Sequence, residues 1–148
     1  MIWKPNVVVA AVVERAGSFL LVEEHTEAGP AFNQPAGHLE PGETLLQGVV
    51  RETLEETGYN FAPRSLVGVY LWRNESSDTT FLRFAFSGEI VGHDPRRLLD
   101  DGIIRAAWLA PAEIQATSNR HRSPLVMQCV TDYLSGKSYP LELLHFHS

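Results

Sequence analysis

A chain of 148 residues is long enough to bury a core of its own, and one domain spanning residues 1–148 is the expectation. Its composition, 44% hydrophobic and 20% charged, is that of an ordinary globular protein. The net charge of −6 speaks against a general nucleic-acid surface but not against small anions, because a bound cation inverts the local field.

Val7–Val13 is too short to span a bilayer, and no small-residue cleavage pattern follows it. A cytoplasmic chain is expected, with a monomer as the default. The same run reads as a strand buried on both faces. Val7–Glu14 and Ser18–Glu24 are β-rich on either side of Ala16-Gly17 and predict an antiparallel hairpin. Glu23, Glu24 and His25 lead into a loop, Thr26–Ala31. Such loops border pockets, so a substrate role for Glu23 or Glu24 stands beside a plain solvated strand end. Phe32–Leu39 reads as extended, with Pro35 holding Gln34 out of the helical region. Phe32 is either core or a ring platform, and His38 either a phosphate contact or scaffold.

Gly37 to Tyr59 reads GHLEPGETLLQGVVRETLEETGY. The Pro41-Gly42 turn and the Gly58 stop predict a helix from Thr44 to Thr57. At ~100° per residue, Leu46, Val49, Val50, Thr53 and Thr57 share the core face. Glu52, Glu55 and Glu56 fall opposite, with Gly48 among them. Like charges at this spacing cost ~0.2–0.5 kcal/mol per pair. They also crowd the negative end of the helix dipole, a further ~0.3–1 kcal/mol each. A divalent cation such as Mg²⁺ removes the conflict and bridges substrate phosphates. Gly48 then leaves room for a ligand or an approaching loop. The plainer alternative is a solvated acidic face with Arg51 pairing Glu55.

These residues resemble the Nudix box, G-x5-E-x7-R-E-U-x-E-E-x-G-U with U bulky and apolar. The one departure is Thr53 at the first U. The resemblance implies an α/β (α+β) fold, an α/β/α sandwich around a central mixed β-sheet. It implies a Mg²⁺-dependent hydrolase of diphosphates joined to another group, with Mn²⁺ a possible substitute. Carried over by position, Glu52, Glu55 and Glu56 hold metal with the Gly37 carbonyl, Arg51 orients the glutamates, and Glu43 supports the loop.

Beyond the box, Leu66–Arg73 and Thr80–Ile90 read as strands joined by Asn74–Thr79. Arg83 interrupts an apolar run and needs a partner, either a carboxylate or a substrate phosphate. Tyr70 and Trp72 are ring-platform candidates with core packing as the alternative. His93–Gly102 is irregular; family members often bring a further acid from a loop here, so Asp100 or Asp101 is the candidate ligand or base. Ile104–Leu109 reads as a strand and Pro111–Ala116 as a short helix, with Glu113 at its positive end. Ser123-Pro124 opens a helix running to Gly136, which carries Cys129 as a buried thiol. Arg120, His121 and Arg122 stand before its N-terminus, either an anion site, with Arg122 toward substrate, or a surface cluster. Leu141–Phe146 is apolar enough to pack down.

Segments along nearly the whole chain, among them Asn33–Glu40, Phe81–Phe84 and Arg122–Val126, also resemble a phosphatase branch of that family. That likeness implies release of the terminal phosphate from nucleoside tri- and diphosphates and from hydroxymethylpyrimidine diphosphate. The partners expected are small phosphorylated substrates, with neither nucleic acid nor membrane. The alternatives are a pyrophosphohydrolase that attacks an inner phosphorus and a non-catalytic ligand sensor. The sensor is disfavoured because no glutamate of the box is missing.

Overall fold

The β-branched run from Val8 to Val13 is buried along its whole length, and its neighbours set the architecture. In the computed structural model, which describes residues 1–148, it forms β1 (Asn6–Val12). On one side β1 pairs antiparallel with β5 (Ala36–His38), and on the other parallel with β7 (Thr79–His93). Antiparallel β6 (Tyr59–Asn74) completes a mixed sheet in the order β5-β1-β7-β6. A second, antiparallel sheet is built on β3 (Ser18–Thr26). It carries β2 (Glu14–Arg15) and β4 (Gly29–Asn33) along one edge and β8 (Ile103–Leu109) along the other.

Helices cover both sides. Val49 of α1 (Leu45–Thr57) packs with Val9, Ala11, Val13, Leu20 and Phe86. Val126, Cys129 and Val130 of α3 (Leu125–Leu134) pack on the opposite side with Val12, Phe19, Leu21 and Ala85, joined by Ile114 of α2 (Pro111–Ala116). Successive residues of β1, β3 and β7 thus feed alternate cores, as the two-residue period of a strand requires. The result is the expected α+β sandwich with a central mixed sheet. No helix is long and apolar enough to cross a membrane.

The expected β1–β3 hairpin is confined to its turn. Glu14 pairs with Phe19 and Arg15 with Ser18, and Leu20 N donates to Val13 O at 3.0 Å, around Ala16 and Gly17 at φ 51° and 81°. Beyond them the strands part, because each is buried on both faces and each needs its own lateral neighbours. The loop expected over Thr26–Ala31 shrinks to a turn at Glu27-Ala28, since Gly29 already opens β4. Both β6 and β7 outrun their expected limits. Register shifts at Asn60/Phe61, Pro63/Ser65 and Leu66/Gly68 break the period that would have revealed β6.

Helix α1 begins at a capping box: Thr44 Oγ1 accepts from Gln47 N at 3.0 Å, and Gln47 Oε1 accepts from Thr44 N at 2.9 Å. It ends at Gly58, φ 76°, whose N–H donates to Leu54 O. Its buried flank differs from the expectation. Val49, Thr53 and Thr57 are buried, but so are Glu52 and Glu56, while Leu46 and Val50 are half-exposed. The helix lies against β5, and the edge strand covers the acidic flank. Gly48 is explained by the approaching loop, not a ligand: a Cβ there would sit 2.9 Å from Glu43 Oε1.

Helix α3 starts at Leu125, with Ser123 Oγ accepting its N–H at 3.1 Å, and stops at Leu134, earlier than expected. Past it, Tyr139 exchanges two backbone hydrogen bonds with Leu66. Leu141 and Leu144 of the tail pack on the core beneath α1, while Phe146 stays exposed.

Candidate active site

The box residues converge on Arg51. Its Nε and Nη2 grip Glu43 side-on at 2.7 and 2.8 Å, and its Nη1 donates to Glu52 and Glu55 at 2.6 and 2.7 Å. A further bond from Nη2 to His38 O, at 3.1 Å, ties the helix to the strand end. The plain Arg51–Glu55 pair read from the sequence is therefore real, but it is one contact in a five-bond array. Hydrogen bonding by Arg51 holds the Glu43 carboxyl below its ordinary range, and Glu43 with its neighbours raises Arg51.

Oxygens of Glu52, Glu55 and Asp100 lie within 4.8 Å of one another. Between the two loop acids left open by the sequence, the geometry selects Asp100. Its N–H donates to Glu55 O at 3.0 Å, fastening the loop to the end of α1. Burial raises the Asp100 carboxyl, with Glu55 reinforcing the shift. Burial also raises Glu52 in spite of Arg51, and it pushes Glu56 up to about 8 against an opposing hydrogen bond from Ala36 N at 2.9 Å. Glu56 thus stands beside the three-acid cluster, anchored to β5. A crowded, half-buried set of hard oxygen donors suits a divalent cation.

Gly37 joins this set to the opposite face of the sheet. A Cβ there would lie 2.2 Å from the Glu52 carboxylate, so only a residue without a side chain lets Glu52 rise against the edge strand. Through that opening Glu52 and Glu56 reach a cleft of about 450 Å³ on the α3 side. Phe81 and Trp72 line it, their rings stacked 18° from parallel with centroids 5.8 Å apart. His38 stands beside Phe81 at 6.5 Å. The far wall brings Glu24 and Asn33 from the second sheet and Arg122 and Ser123 from the approach to α3.

Arg83 lines the cleft while only 5% exposed. The carboxylate partner expected as one possibility is absent. Its Nη1 donates to Gln34 Oε1 at 2.8 Å and its Nη2 to Asn33 Oδ1 at 2.9 Å. Gln34 is fixed in turn through Nε2 to Val126 O at 2.7 Å. Arg122 is half-exposed and paired with Glu24 at 3.1 Å. Arg120 is turned away: it donates to Glu23 and lies 4.8 Å over Phe32. The expected arginine cluster is thus largely braced against the second sheet.

Other expectations resolve toward structure. Phe32 is core, 3% exposed. Glu23 is not a cleft residue; hydrogen bonds from Arg120 and Arg105 lower its carboxyl. Tyr70 shares the Arg83 row, but α3 covers that end, and its hydroxyl donates to Asp132 at 2.7 Å. Trp72, two residues on, lies past the cover. Glu113 accepts from Ala110 N at 2.9 Å, as a helix-start acid should. The Asn33–Gln34 cradle was not foreseen. Pro35 signalled an extended backbone there, but nothing local could name a partner 49 or 50 residues away.

The NUDIX domain family model matches residues 3–129. Phosphatase NudJ of Escherichia coli (strain K12) is 42% identical over 142 residues, spanning 96% of this chain and 92% of its own. A NUDIX hydrolase from Nitrosomonas europaea superposes with a TM-score of 0.95 at 54% identity, covering 97% of this chain and 98% of that one. The MutT protein of Methanosarcina mazei Go1, at 22% identity and a TM-score of 0.73 over 93% and 99% of the two chains, shares the fold. With the family pattern matched over most of its length, the chain belongs to the Nudix hydrolases and acts on phosphoric anhydride bonds.

Proposed function

We propose that this chain is a Mg²⁺-dependent phosphohydrolase, with Mn²⁺ a substitute, that removes the terminal phosphate from nucleoside tri- and diphosphates. Small diphosphates such as hydroxymethylpyrimidine diphosphate fall within the same range. The observation that carries the reading is the opening at Gly37, which joins an acidic cluster to a cleft containing Arg83 and Arg122. Terminal release is supported by the likeness to Phosphatase NudJ. One domain over residues 1–148, acting as a cytoplasmic monomer without nucleic-acid or membrane partners, is part of the same proposal.

Glu52, Glu55, Glu56, Asp100 and the Gly37 carbonyl would hold the cation, which supplies neutralisation of the diphosphate and activation of the attacking water. The protein's own share is positional, as phosphoryl transfer demands. Arg51 fixes the directions of Glu52 and Glu55, and Glu43 fixes Arg51. A glutamate of the set not fully engaged by the cation, or Asp100, would take the proton from water as the water oxygen bonds the terminal phosphorus. The bridging P–O bond breaks, and the shortened nucleotide leaves with the bridging oxygen. Arg83 and Arg122 face the chain of phosphates from the cleft.

Incubation with GTP and Mg²⁺, followed by phosphorus NMR with an EDTA control, tests the proposal. Orthophosphate with GDP and then GMP is the expected product series. Pyrophosphate with GMP would move attack to an inner phosphorus. Loss of every metal-dependent product would remove the hydrolytic reading on nucleotides.

A further inference from the structure

An arginine 95% removed from solvent needs a reason. Taking a guanidinium out of water costs several kcal/mol unless a counter-charge is supplied. Arg51, Arg120 and Arg122 each have carboxylate partners within 4 Å, and Arg83 has none. Glu24 feels the charge of Arg83, but its hydrogen bond goes to Arg122. The atoms that Arg83 bonds are all neutral: two amide oxygens, and the Cys129 sulfur at 3.9 Å from Nη1.

The pattern of donors is informative. A guanidinium has five N–H groups arranged as forks. At Arg83, Nη1 is taken by Gln34 and the Cys129 sulfur, and one N–H of Nη2 by Asn33. Nε makes no hydrogen bond within the chain, yet no buried side-chain nitrogen in the molecule is unpartnered, so Nε opens onto the cleft. Nε and the second N–H of Nη2, the two nitrogens with which Arg51 grips Glu43, are therefore the donors Arg83 has left for a ligand. Amide acceptors hold the group rigid without cancelling its charge. That is a receptor for a planar-matched dianion, and phosphate fits it two-pronged.

Two residues back on β7, and so on the same face about 7 Å away, Phe81 stands with Trp72 across the register. That step matches the distance from a phosphate to the ring it carries. We propose, resting on the hydrolase reading, that Arg83 binds the phosphate retained on the product. The Phe81–Trp72 wall takes the attached ring, so the cleft selects ring-bearing monophosphate moieties and holds them independently of the metal. Arg122, already engaged by Glu24, contributes less.

The experiment uses GMP and guanosine as probes, titrated by calorimetry into the full chain in EDTA. The expected result is GMP bound at least about tenfold more tightly than guanosine, the scale of charge-assisted hydrogen bonds. In Arg83→Lys that ratio should fall toward one with guanosine affinity unchanged, while the melting temperature drops because Gln34 and Asn33 lose their donors. In the wild type, the ¹⁵Nε–¹H resonance of Arg83 should move on adding GMP and stay put on adding guanosine, a readout that needs no variant. Equal affinity for the two probes, an unmoved Arg83 resonance, or an undiminished ratio in Arg83→Lys would overturn the assignment. Turnover is not involved, so wild-type failure to hydrolyse GTP sinks the proposed function alone.

Discussion

At Glu56 the physical chemistry of a single side chain predicts how the metal-free protein responds to pH. Burial raises its carboxyl to about 8, against 4.5 for the unperturbed group. The folded state therefore keeps a proton that the unfolded chain gives up between those values. Stability of the metal-free protein should fall as pH rises from 4.5 toward 8, then level off. Glu56→Gln removes the ionisation, so in EDTA at pH 8 it should melt above the wild type and at pH 5 close to it. On the proposed function, its metal-dependent turnover should be lost. A variant with near-normal turnover, or one whose melting falls with pH as the wild type's does, would remove Glu56 from the site. Gly37 makes a second residue-scale prediction. Gly37→Ala puts a methyl 2.2 Å from the Glu52 carboxylate, which is held by Arg51 and cannot yield without breaking that bond. GTP hydrolysis should drop by about a hundredfold, on the scale that small misplacements of catalytic groups produce, while far-UV circular dichroism stays native.

Helix α1 has the ends the sequence predicts to within a residue, and its caps explain why. Both boundaries are local chemistry: a threonine and a glutamine three residues apart at the start, a glycine at positive φ at the finish. Thr44→Ala removes one half of the box and should lower stability by about 1 kcal/mol, read as a shift in the urea midpoint without change in slope. An unchanged midpoint would mean that loop residues 39–43, not the cap, hold the helix start. The buried flank of the same helix was misread because amphipathic pattern reports polarity, and Glu52 and Glu56 are polar residues that tertiary contacts bury. The expected hairpin stops short of β1 for a related reason. Two adjacent apolar strands satisfy a hairpin pattern locally, yet each is buried on both faces and finds other partners. The metal-type residues were legible because their spacing is carried by one helix. The Arg83 cradle was not, since its donor and acceptors meet only after β4 and β7 are placed.

For the whole molecule, the tail offers a test of how the layers are held. Residues after Gly136 add the Tyr139 pairing to β6 and the Leu141 and Leu144 contacts on the α1-side core, far from the cleft lining. Ending the chain at Ser138 should lower the melting temperature by several degrees, the effect of losing about 1–2 kcal/mol in a domain of this size. Turnover at 25 °C should remain near normal. A truncated chain that melts like the full one would show the tail to be a passive surface strand. The opening at Gly37 has a wider consequence. The acids arrive from one side of the sheet and the Phe81–Trp72 wall stands on the other, with the side-chain-free Gly37 between them. Of the helix acids only Glu52 and Glu56 reach the cleft, so much of each half can vary without the other. On the proposed function, substitutions at Trp72, Phe81 or Arg122 change which group the cleft holds without disturbing the helix of acids, and one chemistry can be handed down through lineages that differ in diet.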